Sequence, residues 1–245
     1  MKILISQKEP SNLNAYNALE EKYGAAFEFH PFFLIEPLSA KDFRSQRINL
    51  PDYTAVVFSS RHAIDAYFKL CEEMRFKVPE TMKYFCSTEL VALYLQKHVV
   101  YRKRKIFFGD GTPQSIVALI GPKHKGEKFL ITTSAESNNS TVSSLFEAAG
   151  LDFAVSVMVK SVPQDLKGLN LADYGALVLY NPADLKSLYA SFPDFQQGDL
   201  AFIADGRSIA KALAEAGIKV AVTGGPNTDI TSASKAIDIF LEQSK

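Results

Sequence analysis

Two segments of this chain repeat one device: a buried apolar strand that passes through a short polar turn into an amphipathic helix. The first is AVV followed by FSSRHAIDAYF (Phe58 to Phe68); the second is ALV followed by LYNPADLKSLY (Leu179 to Tyr189). After each turn the apolar residues recur at i, i+3, i+4 and i+7, as Ile64, Tyr67, Phe68 and Cys71 and again as Leu185, Leu188, Tyr189 and Phe192. That spacing is one buried face of a helix. A strand end that leads into a helix start leaves backbone N–H groups unpaired, and such groups attract negative charge. Two of these ends, in separate halves of one chain, predict two similar domains that face a shared anionic ligand.

The rest of the chain extends the alternation. KILIS (Lys2 to Ser6) reads as a first strand, and Ser11 as the cap of a helix carrying Tyr16, Leu19 and Tyr23 that Gly24 ends. Phe27 to His30 starts a second strand. PFFLIEPLS, with Pro31 and Pro37, suits a linker or an edge strand. Further runs at Ala55–Phe58, Tyr84–Cys86, Val99–Tyr101, Phe129–Thr132 and Phe153–Val159 alternate with helical patterns that begin near His62, Glu89, Thr112 and Thr141. KSVPQDL (Lys160 to Leu166) is a second proline-bearing link. Strands then follow at Ala176–Tyr180, Ala201–Ala204 and Lys219–Val222, with helices from Ala183, Arg207 and Asp229. Strand–helix alternation implies parallel sheets with right-handed crossovers. The pieces outside the links hold two and three strands, which together make one sheet. The expected domains are therefore 1–34 with 167–245, and an inserted 40–159, with links near 31–39 and 159–166.

Composition narrows the chemistry. The chain has 245 residues, enough for one large domain or two ordinary ones, with 27 basic and 27 acidic residues and a formal net charge of zero. Global charge thus gives no pull toward nucleic acid or membrane. Cys71 and Cys86 lie in apolar contexts without CxxC spacing and read as buried thiols. His30, His62, His98 and His124 share no metal-ligand spacing and read as surface or boundary residues. GPKHKGEK (Gly121 to Lys128) lacks the ending of a phosphate-binding P-loop, GDG at Gly109 to Gly111 is no dinucleotide fingerprint, and no GxSxG elbow occurs. The apolar run of MKILISQKEP is too short for a signal peptide, and no stretch has membrane-spanning length. A reducing cytoplasm is the expected setting. RKRK (Arg102 to Lys105) is the one basic cluster; it reads as a solvated face or loop, with attraction of an acidic ligand or nucleic acid as the alternative.

Ligands of open α/β sheets bind outside the carboxyl ends of the strands. In the inserted domain those positions hold Ser59, Ser60 and Arg61, then Ser87 and Thr88, then Ser134 and Asn138. In the split domain they hold Ser6 and Gln7, Asn181, Asp205 to Ser208 with Arg207, and the TGGPNT run that ends in Thr228. Short hydroxyl and amide side chains at these places also cap helices, so the set carries more information than any member.

In order and spacing these segments resemble the uroporphyrinogen-III synthase family along essentially the whole chain. KILIS is similar to its opening strand, VVFSSRHAIDAYF to its strand–polar turn–helix, and YFCSTELVALYL to its second strand and helix. KFLITTSAESNNSTVSSLFEAAGLDFAVSVMV, VLYNPADL and ADGRSIAKALAEAGIKV follow in the family's order. YLQKHVVYRKRKIFFGDGT and FPDFQQGD resemble the form associated with Bacteroidetes-type bacteria. The resemblance implies an α/β fold of two doubly wound parallel-sheet domains, flavodoxin-like, joined by a two-stranded linker. It implies a hydro-lyase of haem biosynthesis that takes hydroxymethylbilane, expels its hydroxyl as water, inverts the last pyrrole ring and closes the macrocycle. An azafulvene cation and a spiro intermediate are the implied species, with neither metal nor organic cofactor. The implied partner is a linear tetrapyrrole polycarboxylate, with the upstream bilane-forming enzyme as a candidate protein partner and no role for nucleic acid or membrane. A monomer is expected. Ser59, Ser60, Arg61, Ser87, Thr88, Ser134, Asn138, Asn181, Arg207, Ser208 and Thr228 are the expected substrate contacts, and no residue is singled out as catalytic.

Several family positions differ here. Glu89 and Ile209 stand where threonine is usual, Val159 where a tyrosine is expected, Asn181 in place of the serine before proline, and Gln7 or Lys8 in place of an arginine. These differences motivate a second reading, a relative that binds tetrapyrroles without cyclising them. A two-domain small-ligand sensor is a third.

Overall fold

The structure is a computed structural model and describes residues 1–137, 139–225 and 228–244. The chain divides into two compact units, Met1–Leu34 with Val162–Lys245, and Ile35–Ser161.

The first unit contains β1 (Lys2–Ile5), α1 (Asn14–Tyr23) and β2 (Ala26–Phe29). After two strands that cross the division, β3 (Phe33–Pro37) and β8 (Asp152–Pro163), it continues with β9 (Ala176–Leu179), α7 (Pro182–Ser191), β10 (Ala201–Asp205), α8 (Arg207–Glu215), β11 (Val220–Gly224) and α9 (Ala233–Gln243). Its sheet runs β11-β10-β9-β1-β2, and the paired strands are parallel. The strands are short, apolar and covered on both faces, as a parallel sheet requires. Ile3, Ile5, Val178 and Ile203 face α1 and α9, where Leu19, Ile237 and Phe240 meet them. Leu4, Leu177, Leu179 and Phe202 face α7 and α8 and pack on Leu185, Leu188, Ile209 and Leu213. Because the chain leaves β1 first toward β2 and later toward β9, the strand order reverses between β1 and β9, which opens a crevice at their carboxyl ends.

The second unit contains α2 (Ala40–Ser45), β4 (Ala55–Phe58), α3 (Arg61–Glu73), β5 (Lys83–Cys86), α4 (Glu89–Tyr94), β6 (Ile106–Phe108), α5 (Pro113–Ile120), β7 (Lys128–Ser134) and α6 (Ser140–Ala148). The sheet order is β3-β8-β7-β4-β5-β6, with parallel pairing from β8 through β6. Its five parallel strands follow the other doubly wound order, while those of the first unit follow the flavodoxin order. Val56, Phe58, Tyr84 and Cys86 pack under α3 and α4. Val57, Phe85, Phe129 and Ile131 pack under α5 and α6. The reversal here falls between β4 and β7.

Several local expectations change. Val99–Tyr101 is not a strand; pairing with β5 begins at Ile106, and the basic run forms a turn before it. Val100 is 78% exposed, so three apolar residues there do not make a buried run. Ser11 does not cap α1; the Asn12 Oδ1 accepts from the Asn14 N–H at 2.9 Å instead. α9 starts at Ala233, capped by Ser232, because Thr228 to Ile230 are engaged in a loop with Gly225. His124 is buried, 4% exposed, against the Phe85 and Phe107 rings, so an apolar neighbourhood replaces the expected boundary position. β8 continues to Pro163, which makes part of the second link a strand. Gly24 ends α1 with φ +64, as a glycine can. Both cysteines are free and buried, and burial pushes each thiol up to about 12. They are inert at neutral pH.

Candidate functional site

In the second unit the carboxyl ends of β4, β5, β6 and β7 form one polar rim. Ser60 caps α3, its Oγ accepting from the Ala63 N–H at 3.2 Å. The next N–H groups, of Arg61 and His62, have no intrahelical acceptor and face outward at the positive end of a thirteen-residue helix. Arg61 is exposed, lies over the Tyr94 ring at 5.5 Å, and forms no ion pair among the described residues. Tyr94 is itself anchored, donating to Asp65 Oδ2 at 2.6 Å. Burial works against ionisation of Asp65, but hydrogen bonds from Tyr94, His98 and Lys97 outweigh it and hold the carboxyl at about 2.

Ser87 ties neighbouring turns together. Its N–H donates to the Phe58 carbonyl at 2.9 Å, its Oγ to the Ser59 carbonyl at 3.1 Å, and its own carbonyl accepts from the Gly111 N–H at 2.8 Å. Gly111 has φ +99, so a side chain there would be strained. Thr88 caps α4 through the Val91 N–H at 3.4 Å. Ser134 lies 2.8 Å from the Ser137 hydroxyl at the end of β7. Ser59, Ser60, Arg61, Ser87, Thr88 and Ser134 are thus brought to one edge of one sheet. Asn138 lies outside the described residues.

The first unit departs from the sequence expectation at its β9–α7 turn. Asn181 does cap α7, its Oδ1 accepting from the Ala183 N–H at 2.9 Å. Pro182 has no N–H, and the buried Asp184 carboxylate accepts from the Tyr180 N–H at 2.8 Å and the Asn181 N–H at 2.9 Å. This capping box saturates the helix start from within. The second copy of the device is therefore closed to an external anion, because its own acid occupies the donors. Burial raises the Asp184 carboxyl, against the two backbone donors, and its Oδ1 has no hydrogen-bond partner.

The start of α8 in this unit is open. Gly206, with φ +131, precedes it and supplies no side-chain cap, so the N–H groups of Arg207, Ser208 and Ile209 remain available. Arg207 and Ser208 are exposed, and Arg207 forms no ion pair among the described residues. Asp205 is beside it. Burial raises its carboxyl, and its Oδ1 has no hydrogen-bond partner. Gly225, with φ +103, packs so closely that a Cβ would meet Asp205 Oδ1 at 2.7 Å. The Thr228 hydroxyl sits 2.7 Å from both the Gly225 and the Ile230 carbonyls, so it staples its own loop.

Sequence reasoning placed Ser6 at the end of β1 but did not single out Tyr180 at the end of β9. Ser6 is buried with a bare Oγ, and Tyr180 is pushed well up by burial and by the neighbouring Tyr16 hydroxyl. Tyr180 read as the end of a strand. The N-x-x-D pattern of Asn181 to Asp184 was the legible signal for the closed cap. Of the family-position differences, Val159 is 4% exposed and Ile209 fully buried, each packed in its unit's core, while Glu89 is exposed on α4. No group of three or more His, Cys, Asp or Glu among the described residues could hold a metal ion.

Two doubly wound α/β units, each with a polar rim and a helix start that carries an arginine without an ion-pair partner among the described residues, define the class of protein to which this chain belongs. The family model described as uroporphyrinogen-III synthase HemD matches residues 14–229, and the chain belongs to that family. Its activity is that of a uroporphyrinogen-III synthase, a lyase of haem biosynthesis acting on a small-molecule tetrapyrrole. Among solved structures it is similar to uroporphyrinogen-III synthetase from Helicobacter pylori, with 16% identity over 99% of each chain and a TM-score of 0.61. It is also similar to a mutant uroporphyrinogen III synthase from Thermus thermophilus, with 15% identity over 100% of each chain and a TM-score of 0.57. At such identities the likeness concerns the fold. No curated protein sequence matches the chain. No helix among the described residues is long and apolar enough to cross a membrane.

Proposed function

We propose that the chain cyclises hydroxymethylbilane by gripping its carboxylates at the two rims. The carrying observation is the pair of helix starts, α3 with Arg61 and α8 with Arg207, each of which leaves N–H donors free and a guanidinium without an ion-pair partner among the described residues. Ser59, Ser60, Ser87, Thr88, Ser134 and Ser208 add hydroxyl contacts, and Asn181 and Thr228 shape the turns beside them. Asn138, outside the described residues, is assigned to the same rim from sequence alone. The domains are taken as 1–34 with 167–245, and 40–159. Departure of the hydroxyl leaves a delocalised cation whose ring closure needs placement more than a strong base, so ordered donors that fold the chain correctly supply the larger part of catalysis. We assign the protein to the cytoplasm as a monomer that receives its unstable substrate from the bilane-forming enzyme, with no nucleic acid or membrane partner.

The test supplies hydroxymethylbilane freshly made by that enzyme. Type III product above the spontaneous type I background is the expected result; type I alone overturns the assignment. The buried Val159 and Ile209 favour a second reading, a binder without turnover, for which tight uroporphyrin binding combined with type I product would be the signature.

A further inference from the structure

The second unit holds a cavity of about 390 Å³ that the rim does not use. It lies between the C-terminal half of α3, the connection before β5 and the segment before β6. Tyr84, the second residue of β5, lines it, and the rim begins at the other end of that strand. Thr88 follows Tyr84 by four positions, past the end of β5 at Cys86, an extended path of roughly 13 Å.

Phe68, Phe76, Val78, Met82 and Ile106 give the wall an apolar and aromatic part, and polar groups make up about as much of the lining. The His98 ring stacks on Phe68 at 4.5 Å and is held there by Asp65, 2.8 Å from its Nε2. Tyr84 is only 4% exposed as a residue, and its hydroxyl, which forms no hydrogen bond among the described residues, faces the cavity. A phenol that borders a cavity offers its hydroxyl to whatever fills it. At the mouth stand Arg102 and Lys105 from the basic run, with Glu72 and Glu80. The Lys105 ammonium donates to the Glu80 carbonyl, whereas Arg102 has no ion-pair partner among the described residues. Two acids and two bases at the entrance leave no net positive charge for a compound with many carboxylates, so the bilane itself is a poor fit. One carboxylate has one open guanidinium to meet.

We propose that this cavity is a second ligand site, which takes a small apolar, preferably aromatic, monocarboxylate whose charge pairs with Arg102 and whose inner end offers an acceptor to Tyr84. The volume lies in the range of small-molecule pockets, and an aromatic part joined to convergent polar groups suits a ligand with one apolar and one charged end.

Calorimetry on the full chain with 6-methoxy-2-naphthylacetate tests it. Saturable one-to-one binding is expected. Arg102→Ala should weaken that acid about fivefold and leave its uncharged amide unchanged. Tyr84→Phe should weaken the methoxy compound by roughly fivefold and leave 2-naphthylacetate, which lacks the acceptor, unchanged. Neither variant should change synthase turnover, since neither residue belongs to the rim. No saturable binding up to about 1 mM, or binding that both variants leave intact, overturns the site. Displacement of the probe by hydroxymethylbilane would also overturn it, by placing the compound at the rim.

Discussion

Asp184 shows how one buried acid can close a site. It is fully buried at the third position of α7, satisfies two backbone donors, and leaves its other oxygen bare. Asp184→Ala would strip the cap and orphan two N–H groups; a loss of about 2–4 kcal/mol in urea unfolding is expected. A loss under about 0.5 kcal/mol would contradict the closed cap. Rim hydroxyls behave differently, since many weak contacts share the ligand. Ser60→Ala should cost about 1 kcal/mol through the lost cap and reduce type III formation by less than about tenfold. A thousandfold loss at Ser60, Ser87, Ser208 or Asn181 alone would refute that sharing. His124 supplies a pH dependence. Burial lowers its pKa, helped by Lys83 and Lys123 and opposed by Glu127, and its Nδ1 has no hydrogen-bond partner. The unfolded chain therefore binds this proton first. Stability is complete above about pH 6.5 and falls as pH drops through that value toward the lower folded one. Urea midpoints at pH 7.5 and 5.5 should converge in His124→Phe; an unchanged pH slope would exclude this histidine as the source. At this scale the sequence exposed the serines and arginines, whose types and positions advertise them. It did not reveal the burial of His124, because burial depends on residues far away in the chain.

At the scale of elements, the two copies of the strand–turn–helix device look alike as strings and differ in function. Ser60 spends one hydroxyl on one N–H and leaves the start of α3 open, while Asn181, Pro182 and Asp184 together consume the start of α7. The role passes to α8, whose glycine cap offers nothing. Arg207→Ala should raise the KM for hydroxymethylbilane several-fold with little change in kcat, because an exposed guanidinium contributes mainly to binding. An equal fall in kcat would place Arg207 in the chemistry instead. The strand next to β5 was mislocated for a related reason. Val99 to Tyr101 has the residue types of a strand, but Ile106 is where the chain reaches hydrogen-bonding register with Tyr84. Propensity marks where a strand can form, and pairing decides where it does.

At the scale of the molecule, each unit has cores on both faces of its own sheet. The second is also continuous in sequence, spanning Ile35–Ser161. A fragment of residues 35–161 should therefore fold cooperatively, with helical and strand signals lost together in urea, and should form no type III product. A disordered fragment would show that the sheet depends on the first unit. The sequence by itself determined the class of architecture, the number of parallel strands in each half and the polar character of their carboxyl ends, because periodicity of buried residues is a local property of the chain. Tertiary structure alone decided the strand order in each sheet, which helix start stays open, and that Tyr84 lines a cavity with its hydroxyl unpaired. Those outcomes turn on which distant atoms arrive first to satisfy a donor or fill a space, and no local pattern encodes that competition.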